Sequence, residues 1–453
     1  MKVKSKKKDY PLKGIRVLGF TQSWTGPYAG MLLGDLGAEH LRVEQIQYAG
    51  GMTRGIMPFP MEDYFANIKD GGIFQYPDRK CTGPNGEYHM NRFSFGNAHL
   101  QNTYGFTLDF QRPKGMELFK ELIKKSDIFL ENNTPTTAPK LGLTWEFLHE
   151  INPKLIVIRS PAFGLSGPHY NWKGFGSNIE AGVGHTHALR YSDDPEDTIS
   201  TLETYTMDNV GAHTLPTAAM MGLMQREKTG EGMLIEIPQA EGVLDVLPIY
   251  WMDYLINGRI QPAWSNRHPS AVQGCYPTRG DNSAEDWAVI TIYNDEDWNG
   301  FCAAIGNPAW CKDPKFSDAV SRLKNQDELD EHISAWTKQH DCYAIMHMLQ
   351  AHGVPAGPVL TEKMVYEDRN MLEHDFFIEE TQKWCGTHKY TGYTGKIRNT
   401  PRKNRADMPP TGLGEYNEYV FKKILGLSDA EYQELVDEEY IGTEMASGAK
   451  ASI

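Results

Sequence analysis

A single acidic residue, Asp208, stands where a carboxylate could do chemistry. The residues around it, Tyr205 to Gly211, read YTMDNVG, and the chain continues through small apolar residues, AHTLPTAAMMGL, that indicate a buried helix. Asp is a favoured N-cap residue, because its side-chain oxygen accepts a hydrogen bond from an unpaired backbone N–H. A carboxylate can also act as a nucleophile. Taken alone, these residues favour the capping role.

The composition excludes several classes of protein. The 453 residues are enough for two domains, and 40% hydrophobic with 23% charged residues is ordinary for a soluble globular enzyme. A formal net charge of -14 argues against general nucleic-acid binding, which needs a basic surface. The 6 cysteines are scattered without a CxxC pair, so we expect neither a disulfide framework nor a metal site.

The sequence predicts a cytoplasmic protein. No apolar run approaches the ~18 residues that a membrane span requires. Residues 1–10, MKVKSKKKDY, are basic but lack the apolar stretch of a signal peptide, and they indicate a disordered tail. Scattered cysteines fit a reducing compartment.

The elements that must position Asp208 alternate between strands and helices. IRVLGF and EHLRVE have the character of strands and flank the helical segment TGPYAGMLLGDLGA, which predicts a βαβ unit and a parallel sheet. The glycines do not spell GxGxxG, so a dinucleotide site is not supported. Residues 50–100 are rich in Gly, Pro and aromatics and indicate a long irregular excursion. IFLEN and KLIVIRS then continue the strand pattern.

These patterns predict an α/β fold with two domains. A doubly wound, parallel-sheet (Rossmann-like) large domain is discontinuous, with its first part at 11–245 and its return, including a C-terminal helix, at 356–453. A smaller α+β domain is expected at 246–355, where WAVITIYND has the character of a strand and its neighbours are helical.

The chain resembles the class III CoA-transferases, the family of formyl-CoA transferase and carnitine CoA-transferase. Ordered blocks carry the resemblance from about residue 11 to 443: LKGIRVLGFTQSWTGPYAGMLLGDLGAEHLRVE, FTLDFQRPKGMELFKELIKKSDIFLENNTP, LGLTWEFLHEINPKLIVIRSPAFGLSGP, the MDNVGAHT to REKTGEG block, HGVPAGPVL and GLGEYNEYVFKKILGLSD. The resemblance implies an interlocked dimer, as a homodimer or with a homologous subunit. It implies no cofactor beyond the CoA thioester substrate.

The resemblance gives Asp208 the catalytic role. In the family, the reactive aspartate precedes a Gly and a small-residue helix that ends in a KTG or ETG turn, and Thr229 stands at the matching distance here. The Gly comes one position earlier than is usual. The implied reaction moves CoA, with succinyl-CoA a candidate donor, through an aspartyl anhydride and an aspartyl-CoA thioester. Aromatic residues of the excursion could line a bulky acyl pocket: Phe59, Tyr64, Phe65, Phe74 and Tyr76.

The resemblance also implies contacts with CoA, although each of these side chains could equally be a packing residue or a solvated charge. The candidates are Ser23, Trp24, Leu108, Asn132, Lys140, Lys173 and Phe175. Two departures remove cations from the family pattern. The stretch NTYG at 102–105 replaces NKR, and Gln45 replaces a basic residue after the second strand.

Two alternatives remain open on the sequence. The acyl-CoA racemases that share the fold carry a His in a GHD segment, where this chain reads GFG at 174–176, although His185 or His187 could serve as a base. The lost cations also fit a subunit of a heteromeric transferase that has reduced activity of its own.

Overall fold

The fold is described from a computed structural model, which covers residues 9–49, 51–54, 90–194, 196, 205–280, 286–397, 400, 408–447 and 449–451. The chain divides into two compact units. The larger unit draws on 1–185, 202–249 and 375–453, and the smaller on 186–201 and 250–374. Most of the tail expected at 1–10, and the aromatic residues at 59–76, lie outside the described residues.

The strands are numbered along the chain. They are β1 (Arg16–Phe20), β2 (Glu39–Glu44), β3 (Tyr48–Ala49), β4 (Thr103–Thr107), β5 (Ile128–Glu131), β6 (Ile156–Arg159), β7 (Met233–Glu236), β8 (Val272–Pro277), β9 (Trp287–Ile292), β10 (Ala356–Pro358), β11 (Phe377–Gln382), β12 (Gly386–Thr391) and β13 (Lys450–Ala451).

The α-helices are numbered in the same way. They are α1 (Thr25–Asp35), α2 (Gly51–Arg54), α3 (Ser94–His99), α4 (Pro113–Lys124), α5 (Thr137–Lys140), α6 (Trp145–Ile151), α7 (Gly176–Gly182), α8 (His185–Ala188), α9 (Thr206–Thr229), α10 (Gln239–Leu244), α11 (Pro248–Asn257), α12 (Asp295–Ala304), α13 (Ala319–Lys324), α14 (Gln326–Thr337), α15 (Cys342–Gln350), α16 (Glu362–Glu367), α17 (Arg369–Glu373) and α18 (Asp429–Asp437). None of the helices in the described ranges is both long and apolar enough to span a membrane.

The larger unit is built on a parallel sheet. In the described part of the chain this sheet has six strands in the order β4-β2-β1-β5-β6-β7, and all five neighbouring pairs are parallel. The order reverses direction beside β1, so the chain is wound in both directions from the centre. This is the strand order of doubly wound folds, in which ligands bind outside the carboxyl ends of the strands at the reversal. The prediction of a doubly wound α/β fold is confirmed.

Both faces of this sheet are buried, because consecutive side chains of a strand point to opposite sides. Val17 and Ile156 pack in a cluster with Leu215 of α9, whereas their neighbours Leu18 and Val157 belong to a second cluster on the other side. The strands therefore read as continuous apolar runs rather than as alternating patterns.

The smaller unit is an α+β structure. Its three-stranded antiparallel sheet has the order β10-β9-β8. Its core contains Phe301, Phe316, Ile333 and Ile345. The sequence placed the end of this domain at 355, but β10 pairs with β9, which keeps the chain in the smaller unit beyond that residue. The boundary falls at 374, and residues 186–201 also belong to this unit.

Candidate active site

Asp208 lies near the N-terminus of α9, at the carboxyl edge of the parallel sheet. The helix precedes β7 and runs against the strands, so it begins at the edge where the strands end. The residue before the helix is Tyr205, whose backbone is left-handed with φ 42° and ψ 38°. Asp208 is thus the third residue inside the helix rather than its N-cap. The capping role that the local sequence favoured is wrong.

The Asp208 side chain accepts a hydrogen bond from a neighbouring helix. The hydroxyl of Thr25, the first residue of α1, donates to Asp208 Oδ1 over 2.6 Å, and the Thr25 backbone N–H also donates to this carboxylate. Gln239 Oε1 lies 3.3 Å from the same hydroxyl, while its Nε2 donates to the Ser160 carbonyl over 2.9 Å. The carboxylate therefore lies at the N-termini of two helices, whose dipoles favour negative charge.

Burial works against that charge. Asp208 is only 9% exposed. Burial raises its pKa, the hydrogen bonds from Thr25 lower it, and the nearby carboxylate of Glu180 raises it again, so that the pKa lies above its ordinary value. A carboxylate held in this state is a stronger base and a stronger nucleophile than an exposed aspartate.

A glycine leaves room for the second carboxylate oxygen. Gly176 opens α7, and a Cβ built on it would overlap Asp208 Oδ2. At Gly182, at the other end of the same helix, a Cβ would lie 3.5 Å from the Phe163 ring, which is an ordinary contact. The space at Gly176 is thus specific to the position that faces Asp208.

Aromatic rings surround the start of α1. The Trp24 ring centroid lies 5.1 Å from that of Tyr205 and 4.6 Å from that of His99. Tyr28, one turn further along the helix, lies 5.0 Å from His99 and 5.5 Å from His213. Trp24 therefore packs against the residue that leads into the Asp208 helix.

The loop after β1 is fixed by the strand beside it. Asn132 follows β5, accepts the Gln22 N–H over 2.8 Å and donates to the Gln22 carbonyl over 3.0 Å. Ser23 has a positive φ of 57°, and its carbonyl accepts the Thr53 hydroxyl. Both residues lie at the carboxyl edge, beside the point where the strand order reverses, and Asn132 holds the loop that leads to Thr25.

The other CoA candidates separate into one buried and three exposed residues. Leu108 has no exposed surface, and its backbone N–H donates to the Glu44 carbonyl. Its side chain is therefore part of the core, and the contact with CoA that the resemblance implies for this residue stays a prediction. Lys140 ends α5, Lys173 precedes α7 and Phe175 is the residue before α7; all three side chains are exposed.

The residues at the positions that lost the family's cations contact other residues of the protein, and Asn102 among them is buried. Asn102 donates to Asp35 Oδ1 over 2.7 Å, and Tyr104 stacks on Tyr419 with ring centroids 4.8 Å apart. Gln45 accepts a hydrogen bond from Gln111 over 3.2 Å.

Nearby arginines do not replace those cations. Arg42 and Arg54 are buried. Arg42 Nη1 lies 2.7 Å and Arg54 Nη2 lies 2.6 Å from Glu44 Oε2. Burial alone would raise the pKa of Glu44, but the two guanidinium groups outweigh it and hold that pKa at about 2. The guanidinium groups of both arginines are therefore paired with Glu44.

The two histidines considered as bases lie in different surroundings. His185 is buried, and its Nδ1 lies 3.6 Å from Glu180 Oε2. His187 belongs to the smaller unit and is exposed. The imidazole of His185 is thus directed at a carboxylate of the protein.

Sequence reasoning missed three residues that contact or face Asp208, which are Thr25, Gly176 and Glu180, and it missed Gln239, whose Oε1 lies beside the Thr25 hydroxyl. They come from separate elements, and no local pattern marks them. The one available signal was topological: Thr25 and Gln239 follow strands of the parallel sheet, whose carboxyl ends meet at one edge.

Comparisons with known proteins agree with this geometry. The model of CoA-transferase family III matches residues 12–415. The chain is 30% identical over 426 residues to the succinyl-CoA–D-citramalate CoA-transferase of Chloroflexus aurantiacus, covering 94% of this chain and 96% of that protein. It is 25% identical over 427 residues to the succinyl-CoA:glutarate CoA-transferase of Mus musculus, covering 94% and 89%.

Solved structures show the same fold. A CAIB/BAIF family protein from Brucella suis superposes with a TM-score of 0.75 at 22% identity, covering 92% of this chain and 100% of that chain. Rv3272 from M. tuberculosis superposes with a TM-score of 0.69 at 25% identity, covering 91% and 99%. The family match and the relatives extend over nearly the whole sequence, and the chain therefore belongs to CoA-transferase family III.

Proposed function

We propose that the protein transfers CoA from an acyl-CoA donor to a carboxylic acid through covalent intermediates on Asp208. One observation carries the proposal: a buried carboxylate whose Oδ1 is held by Thr25 while its Oδ2 faces the space left by Gly176. A carboxylate whose second oxygen is packed against a glycine, and whose pKa burial raises, fits a reactive role better than a capping role.

The first half of the reaction makes an aspartyl thioester. Asp208 Oδ2 attacks the donor thioester carbonyl, the carbon–sulfur bond breaks, and CoA leaves as a thiolate. The product is a mixed anhydride of the acyl group and Asp208. The thiolate then attacks the Asp208 carbonyl, the donor acid leaves as a carboxylate, and CoA is bound to Asp208. The acceptor carboxylate reverses these steps, and the Asp208 carboxylate is regenerated. The reaction needs no cofactor and no metal.

The surroundings of Asp208 suit this chemistry. The anhydride would hydrolyse in contact with water, and the burial of Asp208 limits that contact. The Thr25 hydrogen bonds orient the carboxylate and favour its ionised form, each bond to a charged group being worth about 1.5–3 kcal/mol.

We assign the donor as succinyl-CoA and the acceptor as a dicarboxylic acid. The Chloroflexus aurantiacus and Mus musculus relatives are both named for succinyl-CoA, with citramalate and glutarate as their partners. Ser23, Trp24 and Asn132 at the carboxyl edge, with the exposed Lys140, Lys173 and Phe175, remain our candidates for CoA contacts.

The trapped intermediate tests this function. The protein is incubated with succinyl-CoA and hydroxylamine, and the peptide that contains Asp208 is analysed by mass spectrometry. We expect a hydroxamate on Asp208, CoA exchange into a panel of dicarboxylic acids, and neither result for Asp208→Asn. Exchange of the substrate α-proton for deuterium without a label on Asp208 would indicate a racemase. Activity that needs a homologous partner would indicate a heteromer.

The stability of Asp208→Asn separates loss of chemistry from loss of fold. Because the folded protein raises the pKa of Asp208, its ionised form opposes folding at neutral pH. The asparagine variant is therefore expected to unfold at an equal or higher denaturant concentration than the wild type at pH 7. The gain should shrink as the pH falls towards about 4, the ordinary pKa of aspartate, and should vanish only well below it, where aspartate is protonated in both states. A loss of stability at pH 7 would contradict this account.

Removing the Thr25 hydroxyl should weaken catalysis and change its pH dependence. In Thr25→Val the hydrogen bond that lowers the pKa of Asp208 is lost, so the acid limb of the kcat/KM profile should move to higher pH. At neutral pH we expect a fall of about 10- to 100-fold, the equivalent of 1.5–3 kcal/mol. Thr25→Ser keeps the hydroxyl and serves as the control. Equal profiles for the two variants would disprove the role of this bond.

Adding one methyl group at Gly176 should displace the nucleophile. In Gly176→Ala the Cβ overlaps Asp208 Oδ2, and a displacement of about 1 Å can cost about 100-fold in rate. Gly182→Ala, in the same helix, adds the same group in ordinary contact distance and should retain activity. The measurement is kcat/KM for CoA exchange. Comparable rates for both alanine variants would exclude Gly176 as the residue that makes room for Oδ2.

We propose further that the protein is a homodimer. Large apolar side chains of α11 are exposed, among them Ile249 at 76%, Leu255 at 72% and Ile256 at 71%. Exposed apolar patches of this kind mark interfaces. The mass in solution, measured by light scattering, should be that of a dimer, and Leu255→Asp should lower it. A monomeric wild type at micromolar concentration would refute this proposal.

A further inference from the structure

A second carboxylate, that of Glu180, is buried beside the Asp208 helix. Glu180 lies in α7 and is 2% exposed. Its Oε1 accepts the backbone N–H of Met207 over 3.1 Å, and its Oε2 lies 3.6 Å from His185 Nδ1. A buried charge is costly unless it is paired, and a neutral glutamine could accept the same N–H. The charge of Glu180 therefore calls for an explanation beyond packing.

Two residues on one face of α7 affect the Asp208 carboxylate. Gly176 and Glu180 are four residues apart, a spacing that places them on the same side of a helix. Gly176 leaves the space for Asp208 Oδ2, and Glu180 supplies the negative charge that helps to raise the pKa of Asp208. Thr25 of α1 and Gln239 of α10 bring hydrogen-bonding groups without charge, and His185 faces Glu180.

Glu180 also holds the backbone at the start of the nucleophile helix. Met207 directly precedes Asp208. Tyr205, two residues before Met207, has a left-handed backbone, and this conformation costs a residue with a side chain about 1–2 kcal/mol. The bond from Met207 N–H to Glu180 is one of the contacts that stabilise this turn. The Glu180 carboxylate thus anchors the Met207 N–H, and it also places a second negative charge near Asp208.

We propose that Glu180 is a positioning residue that drives acylation of Asp208 by charge repulsion, an inference that rests on the proposed function. The two carboxylates repel each other only while Asp208 is a free anion. In the anhydride and in the thioester Asp208 has no charge, so the repulsion is released. The interaction thus destabilises the free enzyme relative to its acylated forms, which favours the first chemical step. His185 Nδ1 lies 3.6 Å from Glu180 Oε2, where a proton on that nitrogen would offset part of the charge.

The variant Glu180→Gln separates the effect of the Glu180 charge from that of its hydrogen bond with the Met207 N–H. The amide oxygen can still accept the Met207 N–H, but the negative charge is lost. We expect the acid limb of the kcat/KM profile to move to lower pH. We also expect the fraction of enzyme present as aspartyl-CoA thioester, measured by intact mass with excess succinyl-CoA, to fall by about tenfold for each unit by which the limb moves. Glu227→Gln removes an exposed carboxylate further along α9 and should change neither quantity.

A second variant works in the opposite direction. His185→Gln removes the imidazole that faces Glu180 and leaves the charge of Glu180 less compensated. The acid limb should then move to higher pH, even if Glu180→Gln fails to fold. A structural role alone would lower the rate at every pH without moving the limb. Limbs that stay in place in both variants would overturn the proposal.

A stability cycle tests the coupling without any assay of activity. The gain in unfolding free energy from Asp208→Asn at neutral pH should be smaller in a Glu180→Gln background, because the repulsion is already absent there. The same gain in both backgrounds would overturn the inference. If the wild type transfers no CoA, the proposed function fails, while this cycle still decides whether the two carboxylates repel each other.

Discussion

The structure depends on one interaction, the hydrogen bonding of the buried Asp208 carboxylate by Thr25. The hydroxyl and the backbone N–H of Thr25 both donate to this group, at the first residue of α1. Without those donors, burial and the Glu180 charge would raise the pKa of the carboxylate further, and a protonated acid is a poor nucleophile. With stronger donors it would be a weak base. The site balances burial and the Glu180 charge against two hydrogen bonds.

The sheet topology makes that interaction possible. Each helix of a parallel doubly wound sheet begins at the edge where the strands end, so the N-termini of α1 and α9 are brought to the same side. Their Thr25 and Asp208 are 183 residues apart in the chain. The loop that carries Thr25 is fixed by Asn132, which follows the adjacent strand. The fold thus supplies the edge, and a few polar contacts set the positions of the reacting atoms.

The sequence was sufficient for the fold class and for the family. Strands such as IRVLGF and KLIVIRS are long apolar runs between helical segments, a pattern that few architectures satisfy. The position of Asp208 beside an N-terminal helical turn was also predictable, although its offset from the cap was not. The left-handed Tyr205 shifts the start of the helix by three residues, and no propensity favours a tyrosine there.

The remaining contacts could not be read from the sequence, because they join distant elements. Gly176 and Glu180 matter only through their contacts with α9, and the complete burial of Leu108 depends on elements that are distant in the chain. The smaller unit extends beyond the expected boundary at 355 because β10, a strand of only three residues, pairs with β9. Short strands and single close approaches carry too little local pattern to be recognised.

The central claim is that an oxygen atom of the acceptor acid is transferred to the Asp208 carboxylate. In the reaction that we propose, the bridging oxygen of the second anhydride comes from the acceptor and remains on Asp208 when the new thioester forms. An acceptor acid labelled with oxygen-18 in its carboxylates, used in a single turnover, should therefore place one labelled atom in the peptide that contains Asp208, as measured by mass spectrometry. Complete CoA transfer with an unlabelled peptide would contradict the account.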